Sequence, residues 1–364
     1  MIWDAPRDDP LVLSLREPAF LATLDKAGWL SLVGRARRFA LLPRLADLAL
    51  DHGTAEALPA KARIKLRAAR TVAEANAADV RYEIHCVARA LDRLQVPIVL
   101  LKGGAYLSSG LSLARRRFCG DLDIMVPKAH LAEVEATLLK AGWQHAELSD
   151  YDDRYYRQWM HELPPMVHPD RGLALDLHHT IHPPTARHKP NTEALFAAAI
   201  PLGGANLTTL CPADMVLHAG LHLFNEEIIL GLSDLADVHD LLTEFGRDAA
   251  FWDELRARAR IHGLGRVLYY LLRYARILLD TPIPERALQA SAQAAPRPPL
   301  QLLMDWLFVN ALVPPSLERW QPLRAVAVWL LYVRSHWLRM PLRLLIPHLS
   351  RKALRRQAKV ATPV

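Results

Sequence analysis

Cysteine is scarce in this chain, and the three present, Cys86, Cys119 and Cys211, are odd in number and far apart. That spacing excludes a disulfide framework and a four-cysteine zinc site, and it fits a reducing compartment. Long apolar runs are missing too: the uninterrupted stretch Ala325–Val333 near the end falls far short of the ~20 residues needed to span a bilayer. The start "MIWDAPRDDPLVLSLREP" has acidic residues where a signal peptide carries basic ones, and no apolar h-region follows, so a cytoplasmic protein is expected. No internal repeat is present. No Ser-His-Asp or Cys-His arrangement can be assigned, and Cys119 reads as a small packing residue.

What is there is the composition of an ordinary globular protein: 51% apolar residues in a chain of 364, enough for two or three domains. The net charge of +7 is unevenly placed. Residues 296–364 hold 11 Lys or Arg against two acidic residues, so the basicity belongs to the tail.

Residues 11–95 read as helical, most clearly where Val80, Ile84, Val87, Leu91 and Leu94 form one apolar stripe. At Pro97 the pattern changes to a short apolar run, Ile98–Leu101, closed by Gly103-Gly104, which suits a buried strand. A second run, Leu122–Val126, ends at Pro127. The spacing of Leu131, Val134, Leu138 and Leu139 predicts a helix over 130–141 that Gly142 stops. "GLALDLHH" then alternates, with Leu173, Leu175 and Leu177 on one face and Ala174, Asp176 and His178 on the other. Helical patterns return over 213–280, residues 281–299 have the Pro and Ala content of a linker, and two or three helices follow.

The chemistry-bearing residues lie between these elements. Asp121 and Asp123, two apart on a strand, point to one face and repel each other unless a cation sits between them. Hard oxygen ligands of this kind suit Mg²⁺ shared with substrate phosphates. Gly103 and Gly104 follow a strand and open a helix, where bare backbone N–H groups can approach phosphate oxygens. Asp176, on the polar face of a later strand, supplies a third carboxylate, as a two-metal phosphoryl transfer requires.

In combination, "LLKGGAYL", "RRRFCGDLDIMV" and "LALDLHH" resemble the polymerase-β-type nucleotidyltransferase superfamily, with its Gly-Gly or Gly-Ser pair, later Asp-x-Asp and third Asp. More narrowly, Leu101-Lys102-Gly103, Arg117, Gly120-Asp121-Leu122-Asp123 and Asp176-Leu177-His178 resemble an uncharacterised bacterial nucleotidyltransferase family, over roughly residues 15–350. Sixteen residues, 105–120, separate the Gly pair from Asp121, more than is usual in the superfamily but typical of the narrower family. The resemblance implies an α+β fold, with a small mixed sheet flanked by N- and C-terminal helical regions. It also implies that Asp121 and Asp123 coordinate two Mg²⁺ (Mn²⁺ being the alternative), that Asp176 completes the site, and that Gly103-Gly104 cradles the triphosphate of an NTP. NMP would pass to a hydroxyl of RNA, protein or a small molecule, with pyrophosphate leaving. The corresponding division of the chain is a helical region (1–95), a catalytic core (96–185), a helical domain (186–285), and a linker with a basic amphipathic tail (286–364).

Around that core several readings stay open. Arg117 either contacts phosphate or forms a salt bridge that steadies the aspartate loop. Lys102 offsets phosphate charge or points to solvent. His178 contacts substrate or orders a carboxylate, or it satisfies the sheet edge. The trio His178, His179 and His182 lacks the spacing of a zinc site. Asp234 and Asp237, sharing a helix face, are expected to be solvated. Arg334, Arg339 and Arg343 among Trp329 and Trp337 suit an anionic membrane surface, which would make the protein peripheral at the inner face of the membrane. They also suit an RNA backbone, or packing on the body with a basic outer face. Two rivals to nucleotide transfer remain: a glycosyltransferase holding its metal on Asp121-Leu122-Asp123, and a catalytically silent nucleotide-, RNA- or membrane-binding protein.

Overall fold

A computed structural model of the chain describes residues 7–51, 58–203, 206–315 and 321–345. Four helices come first: α1 (Pro10–Arg16), α2 (Lys26–Arg38), α3 (Leu42–Asp51) and α4 (Ala60–Leu91). The 32 residues of α4 make a rod about 48 Å long at 1.5 Å per residue. Its predicted stripe is real: Val80, Ile84, Val87 and Leu91 are buried against the sheet side of the molecule. The helix stops at Leu91, and Gln95 turns the chain at φ +51° before Pro97 starts the extended run.

The sheet has seven strands in the order β3-β4-β5-β2-β1-β7-β6. Its centre is β1 (Ile98–Leu100), β2 (Asp121–Met125) and β5 (Ala174–His178); β2 runs antiparallel to β1 and parallel to β5. The outer strands are short: β3 (Gln144–His145), β4 (Met166–Val167), β6 (Ile200–Pro201) and β7 (Leu207–Thr209). Because β7 pairs in parallel with β1, the sheet continues past residue 185 to residue 209. The mixed sheet with flanking helices is the expected α+β architecture.

Between β1 and β2 lies the short helix α5 (Lys102–Ser108), and after β2 comes α6 (Leu131–Lys140). Gly142 ends α6 as predicted. At φ +103° its N–H bonds Leu139 O (3.1 Å) and Trp143 N–H bonds Leu138 O (3.1 Å), the 5→2 and 6→1 bonds, respectively, of a Schellman stop. Helix α7 (Asp150–Trp159) is followed by α8 (Thr192–Ala197), α9 (Pro212–Asn225), α10 (Gly231–Phe245), α11 (Ala249–Ile261) and α12 (Gly265–Leu279). One continuous apolar core runs from Leu11 to Leu331.

Residues 281–299 are not an extended linker. Glu285–Ala292 forms α13, packed on α12, and its neighbour α14 (Pro298–Leu312) starts on a proline. Helix α15 (Pro322–Arg339) packs on α14 and buries Ala327 and Leu331, while exposing Leu323, Val326, Trp329, Val333 and Trp337. Of the three arginines singled out in the sequence, Arg343 is exposed beyond the helix end, but Arg334 and Arg339 do not face outward. Arg334 turns inward, donating to Phe224 O at 2.5 Å, and Arg339 reaches Glu227 at 3.4 Å. The remainder of the basic tail, 346–364, lies outside the described residues. No helix among those described is long and apolar enough to cross a membrane.

Candidate active site

Register assembles the site. In the parallel pair β2–β5, Asp123 lies opposite Asp176, Asp121 opposite Ala174 and Met125 opposite His178. Side chains alternate along both strands, so Asp121, Asp123, Asp176 and His178 share one face while Leu122, Ile124, Leu175 and Leu177 fill the core behind them. Ligand atoms of Asp123, Asp176 and His178 lie within 4.8 Å of one another. Asp121, half-buried at the start of β2, shares their face but lies outside that cluster.

The carboxylates are held in different electrical states. Buried Asp123 accepts from Lys102 Nζ at 2.7 Å and from His178 Nε2 at 3.0 Å, both on Oδ1. Burial alone would raise its pKa, but the Lys102 ammonium and the His178 N–H outweigh it and hold the carboxyl well below the usual range. Asp176 accepts no hydrogen bond from the described residues. Burial, then the charges of Asp123 and Glu162, push its carboxyl up to about 7. Asp121 is raised as well, by burial and by Asp123. Like charges crowded on one buried face are the arrangement a divalent cation relieves, and two or three carboxylates suit Mg²⁺ or Mn²⁺. The residues present therefore fit such an ion.

Lys102 does not point to solvent. It occupies the first position of α5 at φ +42°, a left-handed conformation that carries ~1 kcal/mol or more of strain in a non-glycine residue. The salt bridge to Asp123 is the compensation visible there. Gly103 and Gly104 are buried inside α5, where a Cβ on Gly103 would strike Cys119 Sγ and one on Gly104 would sit 2.7 Å from Leu122 Cδ1. Their bareness thus lets α5 lie flat on the aspartate strand. Cys119 packs here as expected, with burial pushing its thiol up. Asn76 of α4 grips the backbone of Cys119 from both sides, donating to its O at 2.9 Å and accepting from its N at 2.7 Å. That clamp fixes the chain two residues before Asp121.

Arg117 is a salt-bridging residue. Its Nη1 meets Asp237 Oδ2 at 2.7 Å, and the guanidinium lies 5.5 Å from the centre of the Tyr106 ring. Asp237 also binds Arg44 at 2.5 Å; Arg44 continues to Asp240, Asp240 to Arg116 at 2.9 Å, and Arg116 to Asp47 at 2.6 Å. The expected solvation of Asp237 is therefore wrong: the carboxylate is buried and paired because α3 and the loop before β2 bring arginines to α10. Asp234 is half-buried, its carboxyl raised by burial and by Asp237.

A histidine and glutamate wall beside the aspartates was not read from the sequence. His161 and Glu162 come from the segment after α7, and His218, His222 and Glu226 from α9 and its end. His161 and His178 stack obliquely, with centroids 5.1 Å apart; Glu162 Oε2 is 3.5 Å from His178 Nδ1; and His222 pairs with Glu226 at 2.8 Å. Burial drives His218 down to about 3 and holds His161 well below its ordinary value. The i, i+4, i+8 spacing of His218, His222 and Glu226 was a usable signal, a polar line in an otherwise apolar helix. The trio His178, His179 and His182 does not converge: strand alternation turns His179 away to bond Met160 O at 3.3 Å.

Comparison with curated proteins and with solved structures returns no match. A family model described as an uncharacterised nucleotidyltransferase matches residues 25–280, which contain the whole sheet and every site residue described above. The chain belongs to that nucleotidyltransferase family.

Proposed function

We propose that the protein transfers a nucleoside monophosphate from an NTP to a hydroxyl acceptor in a Mg²⁺-dependent reaction that releases pyrophosphate. The observation that carries this reading is the β2–β5 register, which sets Asp123 opposite Asp176 with Asp121 on the same face. Asp121, Asp123 and Asp176 hold the ion, which when bound neutralises and aligns the phosphates. The first-turn N–H groups of Lys102, Gly103 and Gly104 receive triphosphate oxygens, and the Lys102 ammonium adds a positive charge beside them. Asp176, which accepts no hydrogen bond from the described residues, takes the proton of the attacking hydroxyl beside the ion. The acceptor oxygen bonds to the α-phosphorus, the bond from that phosphorus to the bridging oxygen breaks, and pyrophosphate departs. Arg117 acts at a distance, tying the loop before β2 to α10 through Asp237.

The test uses each α-³²P-labelled NTP with Mg²⁺ and total cell lysate. Label on an acceptor, lost in Asp123→Asn and Asp176→Asn, supports the reading. No label from any NTP, or transfer only from a labelled sugar nucleotide, contradicts it.

A further inference from the structure

The wall beside the aspartates holds a second set of ligand atoms, of different chemistry. His161, Glu162 and His178 bring ligand atoms within 4.8 Å of one another. The backbone sets the pair at its centre: Glu162 and His178 form an antiparallel bridge, flanked by Leu163 N to Leu177 O and His179 N to His161 O, each 2.9 Å. Residues directly opposed in such a bridge project to one side.

His178 decides what can lie there. Its Nε2 is 3.0 Å from Asp123 Oδ1, and because a carboxylate only accepts, that nitrogen carries the proton. In the neutral ring Nδ1 then presents a lone pair; it is buried, has no hydrogen-bond partner, and faces Glu162 Oε2 at 3.5 Å. A lone pair opposite a carboxylate oxygen requires a cation between them. A proton serves poorly, because 3.5 Å exceeds the 2.7–3.2 Å of a good N–H···O bond. A metal fits: ligands ~2.1 Å from a tetrahedral zinc are separated by about 3.4 Å. His161 Nε2 lies 3.8 Å from the same Glu162 oxygen.

We propose that His161 Nε2, Glu162 Oε2 and His178 Nδ1 form a binding site for a zinc-class divalent cation, distinct from the carboxylate site and joined to it by the His178–Asp123 hydrogen bond. Two imidazoles and one carboxylate are the donor set of a three-ligand zinc site that keeps its fourth position open. A ligating histidine that donates its other N–H to a carboxylate is the usual supporting arrangement, and here the carboxylate is Asp123. An ion at this site fixes the tautomer of His178 and so the orientation of Asp123. The proposal stands apart from nucleotide transfer, because its readout is metal binding.

The test strips the full-length protein with chelator, returns it to excess Mg²⁺ and titrates Co²⁺. Expected are four-coordinate Co²⁺ absorption saturating at one ion per chain and its displacement by Zn²⁺. Glu162→Gln and His161→Gln should weaken binding by more than the ~10–100-fold that outer-shell changes cause, whereas Asp121→Asn should retain it. Absence of the absorption, or binding unchanged in Glu162→Gln, overturns the proposal. X-ray absorption of the Zn²⁺-loaded wild type needs no variant: two imidazoles among light-atom ligands are expected, and sulfur ligation or fewer than two imidazoles overturns the assignment.

Discussion

Asp237→Ala breaks an alternating chain of charges, Arg117–Asp237–Arg44–Asp240–Arg116–Asp47, at its second member. Arg44 keeps Asp240. Arg117, whose side chain is 24% exposed, loses its hydrogen-bonded carboxylate and keeps the face of Tyr106. Removing one partner of a buried pair costs ~3–5 kcal/mol, and the partial exposure of Arg117 places the expected loss at the lower end, about 3 kcal/mol. Stabilities on the order of 5–15 kcal/mol make this a large fraction. Arg117→Ala is milder, because Asp237 still has Arg44; one charge-assisted hydrogen bond is worth ~1.5–3 kcal/mol. The double variant carries no orphaned cation, so its loss should fall short of the sum of the two single losses by at least ~1 kcal/mol. Urea unfolding followed by circular dichroism measures all three. Additive losses, or an Asp237→Ala loss below about 1 kcal/mol, would refute the claim that Arg117 is held by this network.

Three further outcomes are expected. Gly104→Ala places a Cβ 2.7 Å from Leu122 Cδ1 and should destabilise by ~1–3 kcal/mol, seen as a lower urea midpoint. Asp176→Asn should cut transfer by ~10²–10⁴-fold while nucleotide binding, measured by calorimetry, persists. Asp214 is fully buried against Arg258 and His262; His262 accepts at Nδ1 from Asn191 N (3.2 Å), so it donates to Asp214 from Nε2 (3.0 Å). Burial would raise the Asp214 pKa, but these donors lower it, so its contribution is present above the unfolded value and lost as pH falls through the folded one. Below about pH 4 the wild type should therefore lose stability more steeply than Asp214→Asn in acid titrations followed by circular dichroism.

The central strands were legible because each is a run of apolar or alternating residues between breakers: Ile98–Leu100, Asp121–Met125 and Ala174–His178. The outer strands were not, since two or three residues carry no period, and β7 joins β1 across more than a hundred residues of chain. Prolines misled at 281–299: Pro284 and Pro298 stand at helix starts, where a missing N–H costs nothing. The three aspartates could be read because a strand's alternation is fixed by its sequence. Arg117's partner could not, since Asp237 lies 120 residues away. Nor could His161 and Glu162, which reach the site from an irregular segment through a single bridge to β5.

The most direct measurement of the central claim compares α-³²P- and γ-³²P-labelled NTP side by side, with Mg²⁺ and cell lysate, in the wild type and in Asp176→Asn. Nucleotide transfer predicts α-label on the acceptor, γ-label released as pyrophosphate, and neither in the variant. Label from the γ position on the acceptor, or α-label undiminished in Asp176→Asn, would contradict the account.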